Sequence, residues 1–279
     1  MEYQEYVIAS GFMGMSLKAF VSENALRMFQ EYCKISKKHQ DFSRAKDNQN
    51  RSVGLPLFTA KRSIRMGLGD TTYLHFFECA SAPEATDRLY DKVDNRPIGE
   101  VLRRKYIGYY RYRLQIKGVE IVIIVHSRLP IVDFNIDNER FRFVKAVNSA
   151  MNPDHFIYDL YLLTPDQASL VDDLNSSLKV RKDNPLLGGR LHNLFSVKLG
   201  SHDRSFYSSP HRRGTFEHHS SWKVFKKTKK CSMFTLYNYA TGEPDSNDGV
   251  DFHTRVLVAI TLILQAYEDD LQSSRAAVN

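Results

Sequence analysis

RVLVAITLILQAY, Arg255–Tyr267, is the stretch on which the reading of this chain turns. From Val256 to Leu264 its one polar side chain is Thr261, so a helix here has no face for water and belongs inside a core. It is too short to cross a bilayer, which takes about 20 apolar residues. The fold therefore depends on what surrounds this helix.

Working back from it, the chain is mostly strands. LPLFTA (Leu55–Ala60), TYLHFFE (Thr72–Glu78), PIGEVLRRK (Pro97–Lys105), YYRYRLQIKG (Tyr109–Gly118), VEIVIIVH (Val119–His126) and LPIVDFNI (Leu129–Ile136) are rich in β-branched and aromatic residues and are separated by Gly, Pro, Asn and Asp. A short strand or helix follows over Phe143–Met151, then a strand in HFIYDLYLL, His155–Leu163. Further strands are expected in HNLFSVKLG (192–200), RSFYSS (204–209), SSWKVFKK (220–227) and CSMFTLYNY (231–239). The fold class is thus α+β and β-rich, with mostly antiparallel sheet. A barrel closed around the C-terminal helix would bury that helix on every side and leave no sheet edge, whereas a sandwich would hold it between a sheet and other helices. Periodicity alone does not separate the two.

Two further helices are expected. Ser22 caps a run to about Lys38 in which Leu26, Phe29 and Cys33 share a face. Thr164-Pro165-Asp166-Gln167 has the cap, the first-turn proline and the Gln of a capping box, with Leu170, Val171, Leu174 and Leu178 as its apolar stripe. KKHQDFSRAKDNQNRS between them reads as a loop or linker. This places a boundary near Asn48–Ser52, between an N-terminal extension (1–52) and a β-rich domain (53–279) with the core helix at its end. Three cysteines without CxxC spacing argue for a reducing compartment. The acidic start MEYQEY is unlike a signal peptide, so a cytoplasmic or nuclear protein without a transmembrane span is expected, with peripheral membrane attachment left open.

The net charge is +7, and nearly all of the excess lies in one segment. From His211 to Lys230, Arg212, Arg213, Lys223, Lys226, Lys227, Lys229 and Lys230 stand against Glu217, a local charge of +6. Such a field selects a polyanion, either an anionic membrane surface or nucleic acid. In YYRYR, strand alternation puts Tyr110 and Tyr112 on one face and Arg111 and Arg113 on the other, a pattern suited to stacking and phosphate contact in single-strand binders. WKVFKKTKK likewise interleaves Trp222, Val224 and Phe225 with lysines.

Catalytic signatures are sparse. Asp133 and Asp137 of DFNID, four apart on a strand, could share a divalent ion for phosphoryl transfer. His218 and Ser220 form a single HxS pattern. His211, His218, His219 and Cys231 lack the paired spacing of a structural zinc site. The sequence contains no GxxxxGK[ST], GxGxxG or GxSxG motif, and no cofactor is implied.

Three stretches together resemble the tubby-like superfamily of barrels, which includes the LURP-one-related and phospholipid scramblase proteins. LYDKVDNRPIGEVLRRKYIGYYRYRLQIKG, Leu89–Gly118, is similar to the early turn, basic strand and aromatic strand of that family. LFSVKLGSHDRSFYSS with SSWKVFKKTKKCSMFTLYNY, between Leu194 and Tyr239, looks like the equivalent unit of the second half. GVDFHTRVLVAITLILQAY, Gly249–Tyr267, resembles the segment entering the central helix. The resemblance implies a noncatalytic module associated with membrane phosphoinositides, and it carries over no individual ligand residue. The expected function is thus binding of anionic membrane lipid through the basic surface, with single-stranded RNA or DNA, in a viral setting among others, as the alternative. A metal-dependent phosphoryl-transfer enzyme is the third reading.

Overall fold

The structure, a computed structural model, describes residues 3–11, 15–35, 40–63, 69–79, 95–146, 155–172, 174–188, 207–218, 228–237 and 250–277. Twelve strands follow in chain order: β1 Tyr3–Gly11, β2 Ser16–Phe20, β3 Phe58–Arg62, β4 Thr71–Cys79, β5 Asn95–Tyr106, β6 Tyr109–Ile116, β7 Val119–His126, β8 Ile131–Ile136, β9 Glu139–Lys145, β10 Ile157–Leu162, β11 His211–His218 and β12 Thr228–Tyr237. Helices α1 (Glu23–Tyr32) and α2 (Phe42–Asn50) lie between β2 and β3, the single turn α3 (Pro185–Gly188) lies between β10 and β11, and α4 (Phe252–Ala276) ends the chain.

Every strand pairs antiparallel with its sequence neighbours, and β1 closes on β12 from Tyr3↔Tyr237 to Gly11↔Thr228. The result is a twelve-stranded barrel. Its tight turns suit the right-handed strand twist. Lys117–Gly118 and Asp137–Asn138 both take left-handed φ at their two central residues, the turn geometry that joins twisted strands in two residues.

Twelve strands enclose more room than side chains alone can fill, and α4 occupies it; a helix with its side chains is about 10–12 Å across. Val256, Leu257, Val258, Ala259, Ile260, Leu262, Ile263, Leu264 and Ala266 are all fully buried, in one core with inward residues such as Tyr6, Phe76, Tyr112, Phe143 and Phe234. Asp251 caps the helix by accepting from the Thr254 amide at 2.9 Å. Thr261 turns its hydroxyl back to the Val258 carbonyl at 2.7 Å, so the one polar group of the apolar run needs no partner from the wall.

The outside of the barrel is also covered in two places. The helices α1 and α2 pack on Val7, Ala9 and Phe20 of β1 and β2. The segment after β10 climbs the outer face of β6 to β9, setting Leu170, Val171, Val180 and Leu186 against Tyr109, Ile124, Ile131 and Val144. Strands covered on both faces lose the need to alternate, which accounts for the unbroken apolar run in VEIVIIVH.

Several expectations change. Residues 3–20 supply two staves of the barrel, so the boundary near 48–52 falls inside one continuous ring of strands. The expected loop contains α2, which seats Ala45 against α1 and donates from Asn48 Nδ2 to the Tyr32 hydroxyl. Ser22 does cap α1, but α1 ends at Tyr32. The Thr164 box forms one turn and no helix. Its carbonyls are taken from outside: Arg140 donates to Thr164 and Gln167, Arg142 donates to Ala168, and the Leu170 amide turns to Asp133. The stretches 192–200 and 220–227 lie outside the described residues, and in 204–209 the described part, 207–209, is not strand.

Candidate anion-binding surface

The ends of the barrel differ in chemistry. At the upper rim, where α4 leaves the barrel, Gln265, Glu268, Asp269 and Asp270 turn outward to the wall. Lys145 of β9 donates to both Glu268 oxygens at 2.6 Å, and Tyr158 of β10 donates to the same carboxylate. Arg62 of β3 binds Asp269 at 2.9 Å and also Asp270, which accepts further from Tyr73 at 2.8 Å and from Arg103 at 3.0 Å. Gln265 donates to Asp269 and accepts from Ser232, and His218 lies within 3.2 Å of both Gln265 and Ser232.

Burial sets the electrostatics of this ring. It raises the Asp269 carboxyl above its ordinary value against the opposing pull of Arg62. It likewise pushes the Tyr73, Tyr112 and Tyr158 phenols upward, so all three remain protonated, and Tyr73 and Tyr158 donate to helix carboxylates. At the barrel mouth the Glu268, Asp269 and Asp270 carboxylates each find partners on the wall.

Asp133 and Asp137, expected as a phosphoryl-transfer pair, are set apart by the fold. Asp133 is wholly buried, bound by Arg142 Nε at 2.7 Å and Nη2 at 2.8 Å, and it also accepts from Ser169 Oγ and the Leu170 amide. Asp137 sits past the end of β8 at φ 48°, in the turn, so the two carboxylates do not share a strand face. His218 is buried and stacks on Phe156 at 4.6 Å. Burial lifts the Cys231 thiol to about 12, far from a metal-binding thiolate at neutral pH. Among the described residues no three His, Cys, Asp or Glu side chains gather into a metal-holding cluster. A groove of about 600 Å³ on the outer wall includes His75, Glu100, Gln115, Lys117 and Glu120. Arg113 and Gln115 already bind Glu120 there.

The aromatic and basic residues of β6 alternate as the sequence predicts, but with different consequences. Tyr112 is completely buried beside Tyr73, and Tyr110 packs edge-on against Tyr267 of α4, so both rings serve the core. On the outer face Arg111 is 3% exposed, pairs with Asp70 at 2.8 Å, and donates to the Ser177 and Leu178 carbonyls. Arg113 is held by Glu120 at 2.6 Å. Arg111 thus pins the climbing segment to the wall.

The basic segment divides between the two ends. Arg212 and Arg213 begin β11 at the lower rim, whereas Lys229 and Lys230 begin β12 at the upper rim. The register sets Ser232 opposite His218, so Arg212 and Lys230 are eight residues apart along the strands, about 26 Å at ~3.3 Å per residue. Arg212 pairs with Asp159, and Lys230 reaches Glu23 at 3.4 Å. Lys223, Lys226 and Lys227 lie outside the described residues, as does the Lys229 side chain.

Four further cations that sequence reasoning passed over lie at the upper rim, Lys105, Arg128 and Lys179 exposed and Arg104 half-buried. Arg104 and Lys105 end β5, Arg128 is in the β7–β8 turn, and Lys179 is on the climbing segment. Arg104 lies 5.4 Å and Lys179 6.0 Å from the Tyr106 ring, and Lys105 lies 5.7 Å from Tyr110. None of the four has a carboxylate partner among the described residues. The available signal was RRKYIGYYR, a basic run crossing a hairpin turn.

A family model described as DIA1 matches residues 3–272, which span all twelve strands and α4 as far as Gln272. No curated protein matches the chain. No solved structure matches it.

Proposed function

We propose that this chain, which belongs to the DIA1 family, is a noncatalytic module that binds anionic membrane lipid, phosphoinositide included, through the upper rim of its barrel. The observation that carries this reading is the contrast at that rim. Glu268, Asp269 and Asp270 are consumed by cations and phenols of the wall, while Arg104, Lys105, Arg128 and Lys179 stand at the rim without carboxylate partners among the described residues. Each such cation contributes about 1 kcal/mol at an anionic bilayer.

Two features support the reading. With α4 filling the lumen, the core offers packed side chains where a substrate cavity would lie. A barrel around an apolar C-terminal helix is also the architecture implied by the tubby-like resemblance.

The test is sedimentation of the full chain with vesicles of phosphatidylcholine alone, with added phosphatidylserine, and with added phosphatidylinositol bisphosphate, beside a labelled single-stranded RNA, at physiological salt. Binding to the anionic vesicles, weakened about fivefold by each of Arg104→Ala, Lys105→Ala, Arg128→Ala and Lys179→Ala, is the expected result. Preference for RNA, with a steep loss as salt rises, would instead establish the nucleic-acid alternative.

A further inference from the structure

We infer that the tip of the β5–β6 hairpin is an apolar wedge that enters the interfacial layer of an anionic bilayer, an inference that rests on the membrane reading above. Ile107 is 85% exposed, far above Val119 at 40% or Met15 at 49%. A lone exposed aliphatic residue is ordinary on a protein surface. This one differs in its setting.

The tip is held in place. The arms pair through to the last residues, Tyr106↔Tyr109, and those two rings stack with centroids 4.9 Å apart. Gly108 takes φ +96°, which a side chain adopts only with strain, and its carbonyl accepts from the Ser127 amide at 2.9 Å. The Tyr109 hydroxyl accepts from the Val180 amide at 3.1 Å. Ile107 is therefore presented to solvent by a braced turn, so little further ordering is needed on insertion.

The charges around the tip identify its occupant. Arg104 and Lys105 lie on the arm below Ile107, Arg128 lies in the turn bonded to Gly108 through Ser127, and Lys179 lies beside Tyr106. An aliphatic tip flanked by cations matches an anionic bilayer, with hydrocarbon at the centre and phosphates around it. A second copy would set like charges against like. Met15, on the β1–β2 connection, stands at the same rim, so a bilayer lying across that end meets both apolar side chains.

The experiment uses the full chain and vesicles of phosphatidylcholine and phosphatidylserine, with acyl chains either plain or brominated. Ile107→Ala is expected to weaken vesicle binding about tenfold with the salt dependence unchanged. Ile107→Trp is expected to bind at least as well as the parent and to gain tryptophan emission that brominated chains quench. The parent sequence has a single tryptophan, Trp222, whose signal is subtracted using the unsubstituted protein. If the parent binds anionic vesicles while Ile107→Ala binds equally and Ile107→Trp is not quenched, the wedge is overturned and the electrostatic reading stands. If the parent ignores anionic vesicles, both fall.

Discussion

Glu268 of the central helix and Lys145 of β9 meet where the helix leaves the barrel, with the ammonium 2.6 Å from both carboxylate oxygens. Glu268 is 3% exposed, and the Tyr158 hydroxyl closes its remaining side. The pair ties the helix to the wall at the barrel mouth. Glu268→Ala leaves a partly buried ammonium and a buried phenol without an acceptor, and a loss of about 2–3 kcal/mol is expected in urea unfolding. Glu268→Gln, which keeps an acceptor oxygen, should lose less.

Asp133 and Arg142 form the most buried ion pair among the described residues, at 0% and 2% exposure. Asp133→Asn should destabilise the protein by about 3–5 kcal/mol, since it strands a guanidinium with no solvent to take its charge. The paired replacement Asp133→Leu with Arg142→Met should recover much of that loss. If the single and double variants were equally unstable, the ion pair would not be the cause.

His126 gives the protein a pH dependence with a definite sign. Its Nδ1 accepts from the Arg128 and Leu129 amides at 3.1 and 2.8 Å, and burial pulls its pKa from 6.5 down to about 4. Above pH 6.5 the ring is neutral in both folded and unfolded chains, and its contribution is fully present. Between 6.5 and 4 the unfolded chain binds a proton that the folded chain refuses, so stability falls by up to about 3 kcal/mol. Urea unfolding at pH 7 and pH 4.5 measures the drop, and His126→Asn should shrink it.

At Gly99 the wall leaves no room for a side chain between β5 and β6. A Cβ there would lie 2.0 Å from the Gln115 carbonyl oxygen and 2.9 Å from the Ile116 Cα, both backbone atoms of a paired strand. Gly99→Ala should therefore cost about 3 kcal/mol, seen as a lower unfolding midpoint. Gly118→Asn, at a turn position with open space around it, should cost far less.

Leu264→Ala removes Cγ and both Cδ carbons from a fully buried site, and a loss of about 3 kcal/mol is expected. Val119→Ala, at the 40% exposed start of β7, should change stability by no more than about 0.5 kcal/mol. Thermal unfolding of the two variants side by side checks the contrast.

Much of the barrel was legible because its signals are local. Strand alternation, the Ser22 cap and the turn residues between strands depend on neighbours in sequence, and β4 to β8 fall where those signals place them. β11 escaped because HRRGTFEH reads as a charged loop until its alternate residues Gly214, Phe216 and His218 are seen facing inward. The Thr164 turn misled because its box is real, while the arginines that claim its carbonyls come from β9, more than 20 residues away.

The site was less legible. Basic and aromatic residues mark β6 plainly, but which cations remain free depends on Asp70, Glu120 and the Ser177 carbonyl, which reach it through the fold. Counting charge along the chain placed the anion site on one segment. The barrel register sets the described ends of that segment, Arg212 and Lys230, at opposite rims.

The sequence by itself determined that the last helix must be enclosed, because nine successive positions from Val256 to Leu264 hold one hydroxyl and no charge. It also determined that most of the chain would be strand, while a closed barrel and a sandwich remained equally compatible with it. Only the tertiary structure decided that β1 pairs with β12, that the acids of the helix end are neutralised by the wall, and that Ile107 stands outside among cations with no carboxylate partner among the described residues. Apolar burial and backbone alternation act over a few residues and are written in local order. Ring closure and charge pairing join residues more than 200 positions apart, and geometry alone brings them together.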